Sequence, residues 1–352
     1  MNRFLLLLLC ATSPIFLSSC SPLYVIKAAY EESKILLRKE PISEILQDEK
    51  IDLEQKEKLS HVLLARDFAN SLSLEPGDSY TEYSELDREI LAWVLLASKK
   101  TAFEPYTWWY PIVGRVPYKG YFEKEDADDF IASLEDDGYE VWLRTTEAFS
   151  TLGWFDDPVL STTLKNSVPS IVNTVIHEIF HANIWIPGSV DFNESVANFV
   201  GTEGSVEFFE KQLKNCEDNS CIEQYEEYLK TANRVREFEY FISELLEGLY
   251  LALDGLYSSE KNEDDKLLLR EEIFSSYMKE AYEEFPKMKI LRDLNNAEIM
   301  QIYIYRKKLH LFRTLFENCH KDWGCFFQKL RSIDSSNPFQ SIETMNLNST
   351  QK

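Results

Sequence analysis

The segment from Pro169 to Gly188 constrains the fold of this chain more than any other part of the sequence. It begins with a proline, ends at Pro187-Gly188, and places His177 and His181 four residues apart. Proline is tolerated in the first turn of a helix, and residues four apart share one helix face. The segment therefore predicts a helix on which two imidazoles point the same way, close enough to bind one metal ion.

Glu178 lies one position round this helix from His177. Two imidazoles so placed bind zinc, and the adjacent carboxylate can act as a base towards a water at the metal without being a ligand. The neighbouring side chains are apolar, which predicts a buried segment: Val175, Ile176, Ile179 and Phe180. Buried histidines beside a carboxylate need partners. The alternative, a pair of surface histidines on an amphipathic helix, is disfavoured by these neighbours.

A catalytic zinc needs a third protein ligand and one open position. Four carboxylates follow the histidines: Asp191, Glu194, Glu203 and Glu207. A short loop over residues 187–192 folds the next helix back beside the first and brings its first turn, with Glu194, towards His181. Glu203 lies half a helical circumference from Glu194, so one face cannot present both. Glu194 is the predicted third ligand of one Zn2+; the alternative is a carboxylate that only interacts with the helix dipole.

The first twenty residues predict export. Arg3 supplies a positive charge, residues 4–9 are an uninterrupted apolar run, and residues 17–20 are small and end at Cys20. This is the order of a signal peptide, here residues 1–19, and the apolar run is too short to span a bilayer. Residues 17–20 resemble the bacterial lipobox, whose cysteine becomes the lipid-modified first residue. Ser21 resembles an outer-membrane sorting context, with the folded part facing the periplasm. The alternatives are an ordinary cleaved signal and an uncleaved anchor.

Four cysteines lie outside this leader: Cys216, Cys221, Cys319 and Cys325. Four thiols in two close pairs, in an oxidising compartment, predict two disulfides. Three connectivities are possible, and the local one, 216–221 with 319–325, is the simplest. A zinc site of four thiolates is the alternative, although the spacings exceed the usual two-residue knuckle.

The net charge is −23 and the pI is about 4.7. A protein of this charge repels the phosphates of nucleic acid and of anionic lipid, so nucleic-acid binding is not expected. The oligomeric state is not indicated by the sequence.

The rest of the pattern predicts a mostly α fold with a small sheet. Residues 28–102 are predicted as N-terminal helices, including 59–72 and 86–99, residues 103–215 as the core, and residues 222–331 as C-terminal helices, the last from 296 to 330. Within the core, extended segments at 112–122 and 139–145 flank a helix at about 124–136, and these are the only predicted strands. One domain is expected over residues 20–331. Residues 332–352 are polar and are predicted to be disordered.

The motifs also carry a resemblance. His177-Glu-x-x-His181 followed by Asn193-Glu194-x-x-Ala197 resembles the gluzincin peptidases, in which the second glutamate is the third zinc ligand, although the twelve residues between His181 and Glu194 are fewer than in thermolysin-like members. More of the chain resembles the bacterial "predicted aminopeptidase" family of lipoproteins. The matching parts are Cys20 and residues 113–122, 151–158, 177–204, 295–297 and 305.

The resemblance implies a zincin-like catalytic core between N- and C-terminal helices, and a zinc-dependent peptidase that acts on a peptide substrate. Glu178 would be its general base. The aminopeptidase specificity is implied by the family alone, because the chain lacks the Gly-x-Met-Glu-Asn element that holds a free amine. Two alternatives remain: a non-catalytic zinc-binding scaffold of the cell envelope, and a metallohydrolase that acts on cell-wall amides.

Hydrolysis through a tetrahedral intermediate also needs a donor to the developing oxyanion. Tyr118 and Tyr305 are the candidates, and Arg115 and Tyr121 qualify by chemistry. With 18 tyrosines in the chain, any one of them is more often a packing or surface residue. The remaining C-terminal histidines, at positions 310 and 320, are expected to be structural or exposed.

Overall fold

The computed structural model of the protein describes residues 30, 33–110, 114–146, 157–288, 290–292 and 294–349. The predicted signal peptide, residues 1–19, and Cys20 lie outside this part of the chain. The fold is mostly α-helical with a small β component, as predicted. Within the described ranges, no helix combines the length and apolarity needed to cross a bilayer.

The strands form three small sheets. The first joins three strands in the order β1-β2-β8, with bounds β1 Lys39–Pro41, β2 Glu82–Ser84 and β8 Val159–Leu160. The second has the order β6-β3-β7 and is antiparallel, with bounds β3 Ala92–Lys99, β6 Lys119–Tyr121 and β7 Tyr139–Thr146. The third pairs β4 Trp108–Tyr110 with β5 Gly114–Val116.

Three named helices lie in the described part of the first half of the chain. They are α1 Ile42–Ile45, α2 Leu53–Ser71 and α3 Glu125–Asp136. Strand β7 and helix α3 agree with the extended segment and the helix predicted there. The aromatic side chains of β3 and β7 pack on α3 around Trp108 and Leu134, which anchors the second sheet.

The prediction of helices throughout residues 28–102 was wrong, because β1, β2 and β3 lie there. The segment 86–99 contains β3, the central strand of the second sheet. Both faces of β3 are largely buried, so its sequence is an apolar run rather than a strict alternation. A short apolar run of this kind does not distinguish a strand from a helix.

The second half of the chain is helical. The C-terminal half of α6 forms a cluster with α7 and α8 that is separate from the main core, while α2, α4, α5, α9 and α10 bury that main core. The bounds are α4 Val168–Asn183, α5 Val190–Lys214, α6 Asn219–Tyr257, α7 Glu263–Glu284, α8 Asn296–Ile304, α9 Leu309–Asn318, α10 Trp323–Arg331 and α11 Pro338–Ser349.

The single helix predicted from 296 to 330 is divided into α8, α9 and α10. Lys308, His320 and Lys321 have φ values of 54°, 54° and 61° at the two breaks. A left-handed residue ends a helix, and neither glycine nor proline marks these positions in the sequence. The division folds the three segments back against different neighbours.

The predicted disorder of residues 332–352 is also corrected, since α11 occupies residues 338–349. Phe339, Ile342 and Met345 recur at three-residue spacing and pack against the main core, and Ile342 is fully buried. Asn346 donates to the carbonyl of Leu311 at 3.0 Å. This apolar stripe offsets the polar composition of the segment.

Two disulfides join helix ends. Cys216–Cys221 links the end of α5 to the first turn of α6, and Cys319–Cys325 links the end of α9 to α10. The local connectivity predicted from the sequence is confirmed, and it uses all four of these thiols.

Candidate metal centre

The centre lies on α4 and α5, which form a tight antiparallel pair. Gly188, with φ of 82°, makes the turn between them at low steric cost. Asn193 then closes the loop, because its side chain donates to the carbonyl of Ile186 at 2.8 Å and accepts from the amide of the same residue at 2.9 Å. These bonds hold the first turn of α5, which carries Glu194, beside the last turns of α4.

The two helices approach closely at Gly201. A Cβ atom built on this glycine would lie 2.9 Å from the backbone oxygen of Asn173 and 3.2 Å from the Cβ of His177. Both of these residues belong to α4. The absence of a side chain at this position therefore sets the separation between the helix that carries the histidines and the helix that carries Glu194.

His177, His181 and Glu194 bring three potential ligand atoms together, all within 4.8 Å of one another. The Nε2 atoms of His177 and His181 are 3.1 Å apart. The Oε2 atom of Glu194 lies 3.4 Å from Nε2 of His177 and 3.3 Å from Nε2 of His181. The side chains are 12 %, 4 % and 16 % exposed respectively. This group could hold a metal ion, and Glu194 is the carboxylate that joins the histidines, as its position in the sequence predicts.

The charges of this group favour an ionised carboxylate. Burial by itself raises the pKa of Glu194, but the hydrogen bonds from His177 and His181 outweigh it and lower the pKa to about 2. For His177, burial acts to lower the pKa, whereas the bond to Glu194 and the charges of Glu178 and Glu239 raise it above the ordinary value. Positive charge beside the ionised carboxylate of Glu194 is therefore favoured.

Glu178 follows His177 on α4 and is near enough for its charge to raise the pKa of His177, but it is not one of the three grouped side chains. Its Oε2 atom is buried and has no hydrogen-bond partner among the residues that the structure describes. A buried carboxylate oxygen without a partner is costly, so this atom calls for a hydrogen-bond donor. A water or a substrate amide would satisfy it.

Tyr305, the first residue after α8, lies over His177. The two rings are stacked with centroids 6.3 Å apart. Asn198 on α5 holds the segment by donating to the carbonyl of Tyr305 at 3.1 Å, and the same amide group donates to buried Glu239 at 2.7 Å. Burial raises the pKa of Tyr305 well above its ordinary value, and the charge of Glu194 adds to the effect. The hydroxyl therefore stays protonated and can donate.

The other predicted oxyanion donors are placed differently. Tyr118 is 49 % exposed, in the turn before β6. Arg115 donates to the hydroxyl of Thr107 at 3.0 Å, within its own hairpin. Tyr121 is buried in the cluster between the second sheet and α3. Among these side chains, Tyr118 contributes to the raised pKa of Tyr305, which places it near the Tyr305 hydroxyl.

Glu203, the alternative ligand, points away from the histidines. It accepts from the hydroxyl of Tyr240 at 2.5 Å and from Arg236 at 3.5 Å. His310 is half exposed, and its Nδ1 atom is 3.9 Å from Glu247. Of the two glutamates on α5, only Glu194 joins the two histidines in the described structure.

Three residues near the centre have no signal in the sequence. The ring of Trp185 is 5.4 Å from that of His181, and Trp185 is 36 % exposed, so it can wall the approach to the metal group. Tyr80 is buried near Glu178: burial and then the charge of Glu178 raise its pKa. Arg144 on β7 lies near Tyr305. Tyr80 and Arg144 belong to segments that are distant from the metal centre in the sequence. Trp185 lies close to the end of α4, but no motif in the sequence marks it.

Comparison with protein-family models identifies the family of the chain. A model described as "Putative aminopeptidase" matches residues 23–344, nearly the whole chain. Comparison with curated proteins and with solved structures found no match. The family description supports a peptidase-type enzyme. The chain belongs to the "Putative aminopeptidase" family.

Proposed function

We propose that this protein is a zinc-dependent peptidase in which His177, His181 and Glu194 bind one Zn2+ and Glu178 is the general base. The observation that carries the proposal is the convergence of two imidazole nitrogens and one carboxylate oxygen within 4.8 Å. Two histidines and one glutamate are a donor set of catalytic zinc sites, which leave one position open. The family description supports aminopeptidase activity in particular.

The residues present fit zinc. The carboxylate is held in its ionised form and the donors are buried, while the orphaned oxygen of Glu178 lies beside them. Zinc would supply the positive charge that acidifies a water and polarises a scissile carbonyl. Glu178 would accept the proton of the attacking water and pass it to the leaving amine. Because Glu178 accepts no described hydrogen bond through Oε2, that oxygen is available for this transfer.

Tyr305 would donate a hydrogen bond to the oxygen of the reacting carbonyl. Its stacking over His177 and its protonated hydroxyl support this role. Tyr118, which is half exposed and close to Tyr305, is the second candidate for the same role or for closing over a bound substrate.

The first experiment compares zinc content and peptide hydrolysis of the folded part in the wild type and in Glu178→Gln. Zinc retained by both proteins with hydrolysis lost only in the variant is the expected result. A zinc-loaded wild type that hydrolyses no member of a peptide library would instead favour the scaffold function. Hydrolysis of cell-wall amides alone would assign the substrate to that class.

The second experiment tests the ligand set with a matched pair of glutamates on α5. Glu194→Ala should weaken zinc binding by roughly a hundredfold. The binding free energy of a zinc site is about 10–16 kcal/mol, so the loss of one ligand removes about 3 kcal/mol of it. Glu203→Ala should leave zinc affinity unchanged, because Glu203 bonds Arg236 and Tyr240 instead. The reverse outcome would show that Glu203 is the ligand.

We also propose that the protein is anchored in the cell envelope through a lipid on Cys20, facing the periplasm from the outer membrane. The order of charge, apolar run and small residues before Cys20 supports this. Cys20→Ser should release the protein from membranes in fractionation. Membrane attachment that persists in this variant would indicate an uncleaved helix.

A further inference from the structure

Arg144 lies on the face of β7 that is turned towards the helices. Alternate residues of a strand share one face. Glu140 on this face pairs with Arg270 of α7 at 2.7 Å, and Trp142 packs into the cluster of α6, α7 and α8. Arg144, two residues further along, therefore projects to the same side, where α8 ends at the metal centre.

The path of α8 agrees with this placement. Asn296, the first residue of α8, donates to the carbonyl of Lys99 at 2.8 Å, and Met300 one turn later is contacted by the hydroxyl of Ser98. Helix α8 therefore runs back along β3, towards the part of that strand that pairs with Arg144. The end of α8 and the guanidinium group of Arg144 therefore lie in the same part of the molecule.

The position of Tyr305 agrees with this placement of Arg144. Tyr305 follows α8 directly, and its ring is stacked on that of His177 with the centroids 6.3 Å apart. Its hydroxyl lies within electrostatic reach of Arg144, Glu194 and Glu178. Arg144 therefore supplies a positive charge beside the proposed ligand and the proposed base.

Among the residues that the structure describes, Arg144 has no carboxylate paired with its guanidinium group. Its Nε atom is buried without a described hydrogen bond, as are those of Arg270 and Arg306, and its Nη1 atom donates a long bond of 3.4 Å to the carbonyl of Thr145. Arg270 and Arg306, by contrast, each pair with a carboxylate at 2.7 Å, Glu140 and Glu239 respectively. Acidic residues outnumber basic ones 60 to 37, so an arginine without an acid in this position needs an explanation.

We propose that Arg144 binds a carboxylate of the peptide substrate, and that the enzyme selects peptides carrying this group close to the scissile bond. A guanidinium offers a planar pair of donors that matches a carboxylate, and partial burial strengthens the pairing. The C-terminal carboxylate of a short peptide and the side chain of an acidic residue share this chemistry. The inference rests on the proposed peptidase function and adds its substrate class.

The test measures binding to the zinc-loaded Glu178→Gln protein, which holds peptides without turnover, by titration calorimetry. The probes are one tetrapeptide library with free C-termini, the same library with amidated C-termini, and an amidated library with one aspartate or glutamate. Arg144→Met and Arg144→Lys are made in this background. Arg115→Met is the matched control, because Arg115 is held in its own hairpin by Thr107.

The expected result is that free-acid peptides bind roughly 10–100-fold more tightly than amides, and that Arg144→Met removes this preference. Arg144→Lys should keep part of it, and Arg115→Met should keep all of it. A preference for the amidated acidic library that depends on Arg144 would identify a side-chain carboxylate as the group bound. Zinc content and circular dichroism show whether each variant is folded.

Equal binding of the free and amidated libraries, or a preference that survives Arg144→Met, overturns the inference. Hydrolysis by the zinc-loaded wild type is measured in parallel with the same libraries. If peptides are hydrolysed without regard to a carboxylate, the proposed peptidase stands and only the role of Arg144 fails. If none is bound or hydrolysed, both fail.

Discussion

The close approach of α4 and α5 at Gly201 predicts that Gly201→Ala damages the fold and the metal centre together. The added Cβ would lie 2.9 Å from the backbone oxygen of Asn173 and 3.2 Å from the Cβ of His177. The first contact is with backbone, so it cannot be relieved by rotating a side chain. The two helices must separate by a few tenths of an ångström, which moves His177 relative to Glu194.

The magnitude follows from two opposing effects. Replacing glycine with alanine within a helix stabilises a protein by about 1 kcal/mol through helix propensity. Overpacking a close-packed interface costs about 1–3 kcal/mol. Gly255 on α6 provides the matched control, because a Cβ there meets nothing within 4 Å. Gly255→Ala should therefore gain up to about 1 kcal/mol, and Gly201→Ala should be less stable than this control by about 1–3 kcal/mol.

The assay is urea denaturation of both variants without metal, followed by zinc titration against a competing chelator. We expect the zinc affinity of Gly201→Ala to fall by about tenfold or more, since small shifts in ligand geometry weaken metal sites. The affinity of Gly255→Ala should equal that of the wild type. Equal stabilisation of both variants with unchanged zinc affinity would refute the close-packing argument.

Three further predictions concern the scaffold. Burial lowers the pKa of His61, so the folded protein favours the neutral ring. The free energy of unfolding should therefore be highest above the ordinary pKa of 6.5 and should fall as the pH drops below that value, because the unfolded chain then binds the proton more readily. His61→Gln should flatten this part of a profile of melting temperature against pH. Replacing Cys319 and Cys325 with serine should cost about 2 kcal/mol in urea unfolding, the value for so short a loop, and an unchanged midpoint would contradict it. Arg270→Met should cost about 3–5 kcal/mol because it leaves Glu140 without its ion-pair partner in the core, whereas Arg270→Met with Glu140→Leu should recover much of the loss in the same assay.

The metal group could be predicted from the sequence because its geometry is local. His177 and His181 are related by one helical turn, and the short loop after Pro187 limits where Glu194 can lie. The bonds of Asn193 that fix this loop were not predicted, but they only strengthen a placement that the loop length already favours.

Arg144 and Tyr80 could not be predicted because their positions depend on long-range packing. Arg144 reaches the centre through the register of β7 and the path of α8, and Tyr80 reaches Glu178 from the segment before β2. The misassigned strand β3 has a related cause. A strand buried on both faces loses the alternation by which a half-buried strand is recognised.

The position of the three proposed ligands within residues 177–194 has a consequence for the order in which the molecule assembles. Closing this short stretch costs little chain entropy, and pairing α4 with α5 needs only local contacts. Tyr305 and Arg144 join only after segments far along the chain have docked. The proposed zinc site can therefore form before the rest of the proposed substrate cleft is complete.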